Sequence, residues 1–292
     1  MGSPILDFEC SYRAIFGTSE GVDSLEENES FKGYRTGRSY LCSPAVGKSL
    51  YWIALFKNEE ETRGNAIPRY TTKDRDQLVA NYADDIIKPG VTLGDLYQKS
   101  TATALVPLEQ GVLSTCFYKR IVLVGDSWHK ANPLTGQGGN MAIAGAAYLT
   151  DVLKDLVNRE NVPSQASVEE AFRDYQQGRG PISRGLVEGA HAAQRLEALE
   201  TTFLKFFQLK LARFLSLRIV GFKAGPVFNA GLPLKYLPLP ARPGTVPIRG
   251  QVDKKVSKLL SSVIKVFIFL LVPIFLGYHL LGVANSSFVM ML

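Results

Sequence analysis

One stretch constrains this chain more than any other: Arg120 to Val157, RIVLVGDSWHKANPLTGQGGNMAIAGAAYLTDVLKDLV. It opens on the apolar run Ile121 to Val124, bounded by Gly125-Asp126, which reads as a fully buried strand. Asp126 then stands at the strand's carboxyl end, where layered α/β proteins dock ligands. Pro133, Gly136, Gln137, Gly138, Gly139 and Asn140 follow as a tight polar loop. Beyond it Ala142, Ala146, Leu149, Leu153 and Leu156 recur three and four apart, the mark of an amphipathic helix. The first turns of that helix are lined with small residues, among them Ala142, Ala144, Gly145, Ala146 and Ala147, which let a backbone or a flat ligand come close.

The physical reading of this joint is a cofactor site. Glycines leave backbone N–H groups bare, and the helix N-terminus adds partial positive charge, which suits a carbonyl oxygen or a developing anion. Asp126 is an acceptor placed to hold hydroxyls, such as those of a sugar alcohol. The alternative is an ordinary strand-loop-helix joint whose glycines serve only the turn, and glycines alone do not separate the two.

The rest of the chain narrows the classes. With 292 residues there is room for one large domain or two smaller ones, and a charged fraction of 21 % beside 46 % hydrophobic excludes a disordered chain. The net charge is +6, but no Lys/Arg run interleaves with aromatics, so a nucleic-acid surface is not expected. A membrane surface explains the basic balance better. Cys10, Cys42 and Cys116 are too far apart for a disulfide framework or a zinc site, and His129, His191 and His279 are scattered, so no metal is implied. A serine hydrolase is poorly supported, since no G-x-S-x-G elbow occurs. The N-terminus lacks the charged and apolar regions of a signal peptide.

Along the chain, Ile5 to Ser19 reads as a strand, Arg38 to Ser43 and Lys48 to Phe56 as two antiparallel strands, and Thr101 to Leu108 as another of the same sheet. Thr71 to Ile87 reads as a helix covering that sheet, capped by Thr71 or Thr72. Ser167 to Glu170 forms a capping box; Gly178 to Pro181 interrupts the helix it starts, and a second helix is expected from Ser183 to Thr201. Phe203 to Phe222 is either a core helix or a basic helix lying on a membrane. Leu232 to Arg249 is a proline-rich strap. Val263 to Ala284 is apolar except for Lys265 and His279, and from Val266 to Ala284 it is long enough for a transmembrane helix, with Lys254, Lys255, Lys258 and Lys265 before that stretch and no charge after it. By the positive-inside rule the folded part then lies on the cytoplasmic side, in a tail-anchored layout at a membrane such as the endoplasmic reticulum.

The central pattern resembles the third flavin motif of the FAD-dependent aromatic-hydroxylase class of monooxygenases, which reads G-D, then His, Pro and G-x-G-x-N. The matching residues here are Gly125, Asp126, His129, Pro133, Gly136, Gln137, Gly138, Asn140 and Ala146, while Ala144-Gly145 stands where the class usually has Glu-Asp. The nearest resemblance is to fungal membrane-bound members that epoxidise prenylated intermediates. It implies FAD as cofactor, NADPH as electron donor and a lipophilic polycyclic or prenylated substrate. It further implies that Asp126 holds the ribityl chain and that Pro133 and Gly136 to Asn140 line the flavin ring. Arg13, beside Tyr12 on the first strand, resembles a Tyr-Arg pair that some members place over the flavin, and Tyr40 on a neighbouring strand is a candidate hydrogen-bond donor. His129 is expected to order the loop.

The same resemblance exposes a gap. No G-x-G-x-x-G turn follows any strand, and the second, Asp-Gly flavin motif is absent. The chain therefore reads as the C-terminal part of such a monooxygenase, and what would supply the N-terminal half is open. The expected fold is α+β: an antiparallel substrate-domain sheet, the third FAD-contacting strand-loop-helix and long helices, an incomplete flavin hydroxylase fold with a C-terminal transmembrane helix. The expected divisions are 1–118 for the sheet, 119–202 for the FAD-contacting part, 203–250 for the interfacial helix and strap, and 255–292 for the anchor. An inactive membrane-anchored scaffold and a small-molecule binding module are the competing readings.

Overall fold

A computed structural model describes residues 8–22, 30–44, 49–212 and 235–236. The elements in chain order are β1 (Glu9–Glu20), β2 (Phe31–Arg35), β3 (Arg38–Pro44), β4 (Ser49–Arg63), α1 (Thr72–Tyr82), β5 (Ile86–Lys88), β6 (Val91–Thr92) and α2 (Leu93–Gln98). They continue with β7 (Ser100–Val112), β8 (Phe117–Tyr118), β9 (Ile121–Val122), β10 (His129–Lys130), α3 (Gly138–Arg159), α4 (Gln165–Glu197) and α5 (Thr202–Phe206).

Six strands make one antiparallel sheet in the order β10-β7-β1-β4-β3-β2, so its last strand comes from the stretch that follows Gly125-Asp126. Alternation along β1 sorts the two faces. Ile15 faces the side where Trp52, Ala54 and Phe56 of β4 pack with Leu78 and Val79 of α1 and Leu93 and Leu96 of α2. Tyr12 and Ala14 face the other side, with Leu55, Leu108 and Ala198 at the C-cap of α4. Burying Leu93 and Leu96 completely stabilises by about 1.5–3 kcal/mol each, enough to hold so short a helix as α2 in place.

The covering helix begins where expected: Thr71 and Asp74 form a reciprocal capping box. It stops at Tyr82 rather than Ile87. Asp85 is drawn instead into hydrogen bonds from Arg38 and the Tyr40 hydroxyl on β3, and Ile86 goes to β5.

Several expectations are corrected. Ile121 to Val124 is not a fully buried strand: Ile121 is 66 % exposed, and only Ile121–Val122 pair, with Phe117–Tyr118 in a small hairpin. The broken pair of helices is one continuous helix of 33 residues, capped by Ser164 and carrying Pro181 inside it. Pro181 removes one backbone donor, which buried Phe172, Tyr175, Val187 and Ala190 on either side outweigh by packing. Leu156 of α3 and Val168, Ala171 and Phe172 of α4 form the core between the two long helices.

The C-terminal transmembrane helix is also corrected. Among the described residues no helix is long and apolar enough to cross a membrane, so the structure gives no support to a single-pass anchor or to the localisation that rested on it. Val263 to Ala284 itself lies outside the described residues. Of Phe203 to Phe222 only the beginning is described, as α5 and a π-type turn over Phe207–Leu211, with Phe203 half exposed. Of the strap, Lys235 and Tyr236 are described: the Lys235 N–H donates to Asp151 of α3 at 2.7 Å, and Asp155 takes the Lys235 ammonium and the Tyr236 hydroxyl.

Candidate flavin-binding loop

The loop is built from the turn upward. After β9 the backbone enters a 3-10 turn over Gly125–Ser127. Gly125 has φ +63°, and a Cβ there would lie 2.9 Å from Ala142 Cβ, so only glycine lets the turn sit this close to α3. Ser127 Oγ accepts from the Val124 N–H at 3.1 Å and donates to the Val124 carbonyl at 2.8 Å, which fixes the turn. Asp126 is thereby held exposed, its carboxylate free of hydrogen bonds to other described residues.

The following loop is anchored from below. Asn132 is buried, and its Oδ1 accepts from the Leu134 N–H at 3.1 Å, capping the turn Pro133–Thr135. Gly136 closes that turn at φ +63°, where other residues are strained. Helix α3 then starts at Gly138 with no side-chain cap from Gln137. Its first N–H groups therefore have no intrahelical acceptor and are left to whatever docks there. Gly139 and Asn140 are exposed, and nothing lies within 4 Å of a Cβ built on Gly138 or Gly139. The result is an exposed acceptor, an open positive helix end and a shelf without side chains. That set fits a cofactor carrying hydroxyls on one part and carbonyl oxygens on a flat ring: Asp126 suits the first, and the backbone of Gly136 to Asn140 the second.

Beneath the loop the structure assembles groups that sequence reasoning passed over. Arg179 of α4 is fully buried, and its Nη2 donates to the Met141 carbonyl in the first turn of α3 at 3.5 Å. No carboxylate pairs with it among the described residues, and burial holds its pKa below the ordinary arginine value. His129 is equally buried beside Trp128; burial first, and then the Arg179 charge, lower the pKa of its imidazole below the usual histidine value. Tyr175 stacks at an angle on Trp128, and burial pushes its hydroxyl up to about 12. The one sequence clue to Arg179 was its position between two glycines and a proline in a helix that nonetheless continues.

The structure separates the two substrate-side candidates from the loop. Leu134 packs on the sheet face of Tyr12 and Ala14, beside Phe16, Ile53 and Val106. Arg13 pairs across the strands with Phe56, so it lies on the opposite face, with its guanidinium over the Tyr70 ring. Tyr40 is on that same opposite face, buried, with its hydroxyl on Asp85 beside Arg38. Burial first, then Asp85, raise its pKa well above the ordinary phenol value. The structure thus places Arg13 and Tyr40 on the sheet face opposite the one on which Leu134 packs. Among the side chains on the loop's side of the sheet, Phe16, Ile53 and Val106, next to Leu134, are apolar and only partly covered.

Comparison with known proteins agrees with this geometry. A family profile described as an FAD binding domain matches residues 44–190. The FAD-dependent monooxygenase asqG of Emericella nidulans is 39 % identical over 243 residues, covering 83 % of this chain and 43 % of its own length. The FAD-dependent monooxygenase atnA of an Arthrinium species is 34 % identical over 248 residues, 84 % of this chain and 32 % of its own. The chain thus spans less than half the length of these curated relatives. Among solved structures, HpxO of Klebsiella pneumoniae complexed with FAD and uric acid superposes with a TM-score of 0.57 at 18 % identity, over 76 % of this chain and 53 % of that one. A salicylate hydroxylase substrate complex gives 0.55 at 16 % identity, over 80 % of this chain and 58 % of the other, and both likenesses are of fold.

Proposed function

This chain belongs to the FAD-binding-domain family whose profile matches residues 44–190, and on that premise we propose that it is the flavin-ring and substrate side of an FAD-dependent monooxygenase. The observation that carries the reading is the exposed Asp126 beside the uncapped N-terminus of α3, in a loop whose Leu134 packs on the sheet face of Phe16, Ile53 and Val106. Asp126 would hold the ribityl hydroxyls, and the N–H groups of Gly138 to Asn140 the pyrimidine edge. Bound there, FAD would supply the oxygen chemistry, with NADPH as the electron source. The protein's own share is to orient the substrate on the apolar face and keep water from it.

The class of substrate follows from that face. Phe16, Ile53, Val106 and Leu134 offer aromatic and aliphatic surface without charge, which suits a lipophilic polycyclic or prenylated molecule undergoing hydroxylation or epoxidation. Arg13 and Tyr40 have no part in it, since both face α1 and the strand pair beside it. The pyrophosphate and adenosine grip is proposed to come from a segment equivalent to the relatives' remaining length, packing beside the exposed Ile121 and Ile143.

The test is reconstitution. The chain is co-expressed with the N-terminal portion of a relative such as asqG, and NADPH oxidation is followed with candidate substrates. Lipophilic polycyclic or prenylated compounds should stimulate oxidation, and small polar aromatics should not. Stimulation only by polar aromatics would overturn the substrate class, and a reconstituted protein without flavin would overturn the cofactor assignment.

A further inference from the structure

Among the described residues Arg179 is the only arginine or lysine that is buried, at 1 % exposure. Two carboxylates are buried as well, and both have partners. Asp151 accepts from the Lys235 N–H at 2.7 Å, and Glu197 accepts from the Lys32 ammonium at 2.6 Å. Arg179 has no such counterpart. Its Nε is without a partner, and its Nη2 reaches only the Met141 carbonyl, at 3.5 Å. The ionisable groups that bear on it are Tyr175 and Tyr148, with no carboxylate among the described residues. Burial holds its pKa below the ordinary arginine value, yet a guanidinium keeps its proton in a protein.

Clamping the two long helices does not account for this residue. A separation of 3.5 Å is the far limit of a hydrogen bond, and the Met141 carbonyl lies within α3, where the helical ladder already uses it. An apolar side chain in place of a buried charge is often neutral or stabilising. A cation kept inside without an anion therefore points to negative charge that arrives with a ligand. Its position says where. Met141 stands three residues after Gly138, so the guanidinium lies beside the first turn of α3, whose N–H groups have no side-chain cap. At 1.5 Å of rise per residue, a group docked on those N–H groups would be about 10 Å away. The buried charge and the helix end then act on that group with the same sign.

We propose that Arg179 is the buried cation that favours negative charge on the ligand docked at the N-terminus of α3, and so favours the reduced over the oxidised flavin ring. This rests on the function proposed above. A hydride from NADPH carries two electrons and one proton to a neutral ring and leaves one negative charge there, while NADPH becomes NADP+. Arg179 neither gains nor loses a proton. At about 10 Å and an effective dielectric of about 20, one charge shifts such an equilibrium by about fifteenfold. For a two-electron couple that is about 35 mV. Asp126 has the opposite sign, but it is exposed, where solvent and salt screen it; Arg179 is not.

The test compares Arg179→Met and Arg179→Lys with the native protein in two measurements. The first is thermal unfolding of the full 292-residue chain without flavin. The charge is uncompensated there, so Arg179→Met should unfold at a temperature no lower than native. The second uses the chain paired with the N-terminal portion of asqG and loaded with FAD, and reads the two-electron potential against a reference dye. Arg179→Met should lower it by about 35 mV, the fifteenfold shift, and Arg179→Lys, which keeps the charge, should stay near native. If Arg179→Met unfolds several degrees early or fails to fold, Arg179 is a structural clamp and the inference is overturned. A flavin-loaded pair whose potential is the same in native and Arg179→Met also overturns it, and leaves the proposed function standing. A pair that holds no flavin overturns that function, and this inference with it.

Discussion

Replacing Gly125 by alanine tests how the Asp126 turn is seated on α3. Two costs add there. The residue sits at φ +63°, where an L side chain costs about 1–2 kcal/mol. Its new Cβ would also stand 2.9 Å from Ala142 Cβ and 3.5 Å from Ala142 Cα, in a helix that cannot yield as a flexible side-chain tip would. Overpacking of that kind costs about 1–3 kcal/mol. The sum is roughly 2–5 kcal/mol, or a Tm loss of about 4–20 °C for a folded unit of this size. Gly136→Ala is the built-in control. It has the same φ of +63° but nothing within 4 Å of its Cβ, so it should show the backbone cost alone. Urea unfolding followed by tryptophan fluorescence reads both, because Trp128 lies directly after the turn. Equal losses in the two variants would refute the claim that the turn is wedged against Ala142.

Other outcomes are expected from the same geometry. In the reconstituted protein, Asp126→Ala should release FAD on gel filtration, since a hydrogen bond to a charged acceptor is worth about 1.5–3 kcal/mol; retained stoichiometric flavin would show that Asp126 only shapes the turn. Tyr40→Phe should cost about 1–3 kcal/mol of stability by taking a bond from Asp85 while leaving FAD affinity unchanged, and a selective loss of flavin would contradict its place on the far sheet face. His129 is held below its ordinary value of 6.5 by burial, so the unfolded chain takes its proton first. The stability it contributes is complete above pH 6.5 and is lost as pH falls through and below that value; His129→Phe should flatten the Tm profile there, and an unchanged slope would place the titration elsewhere.

What the sequence made legible follows physical range. The Thr71–Asp74 cap, the β3–β4 pair and the Gly136 to Asn140 loop before a helix are decided by residues within a few positions of one another, and each could be read. The continuity of α4 could not, because Gly178, Gly180 and Pro181 are local helix breakers overruled by packing against Trp128 and the sheet. The sheet face of Arg13 and Tyr40 was legible only in part. Strand parity places Arg13 with Ile15 and away from Tyr12, and that alternation was visible in the sequence, but only Leu134 packed on the Tyr12 side shows which face the loop takes. Arg179 left no clue beyond its place among Gly178, Gly180 and Pro181, since its interest lies in being buried without a carboxylate partner among the described residues.

The central claim is that the Gly125 to Asn140 turn and loop form the ring side of an FAD site whose phosphate and adenosine grip is not supplied by residues 1–292. FAD fluorescence titration of the purified 292-residue chain, alone and with the N-terminal portion of asqG, tests it most directly. No G-x-G-x-x-G turn, the motif that cradles a pyrophosphate with a helix N-terminus and charge-assisted bonds, occurs in the 292 residues, and every 1.4 kcal/mol of such binding lost is about tenfold in affinity. The account predicts no saturable binding at micromolar FAD for the chain alone and stoichiometric binding for the pair, abolished by Asp126→Ala. Micromolar FAD binding by the chain alone with NADPH-driven oxygen consumption would contradict it, as would a pair whose flavin content is indifferent to Asp126.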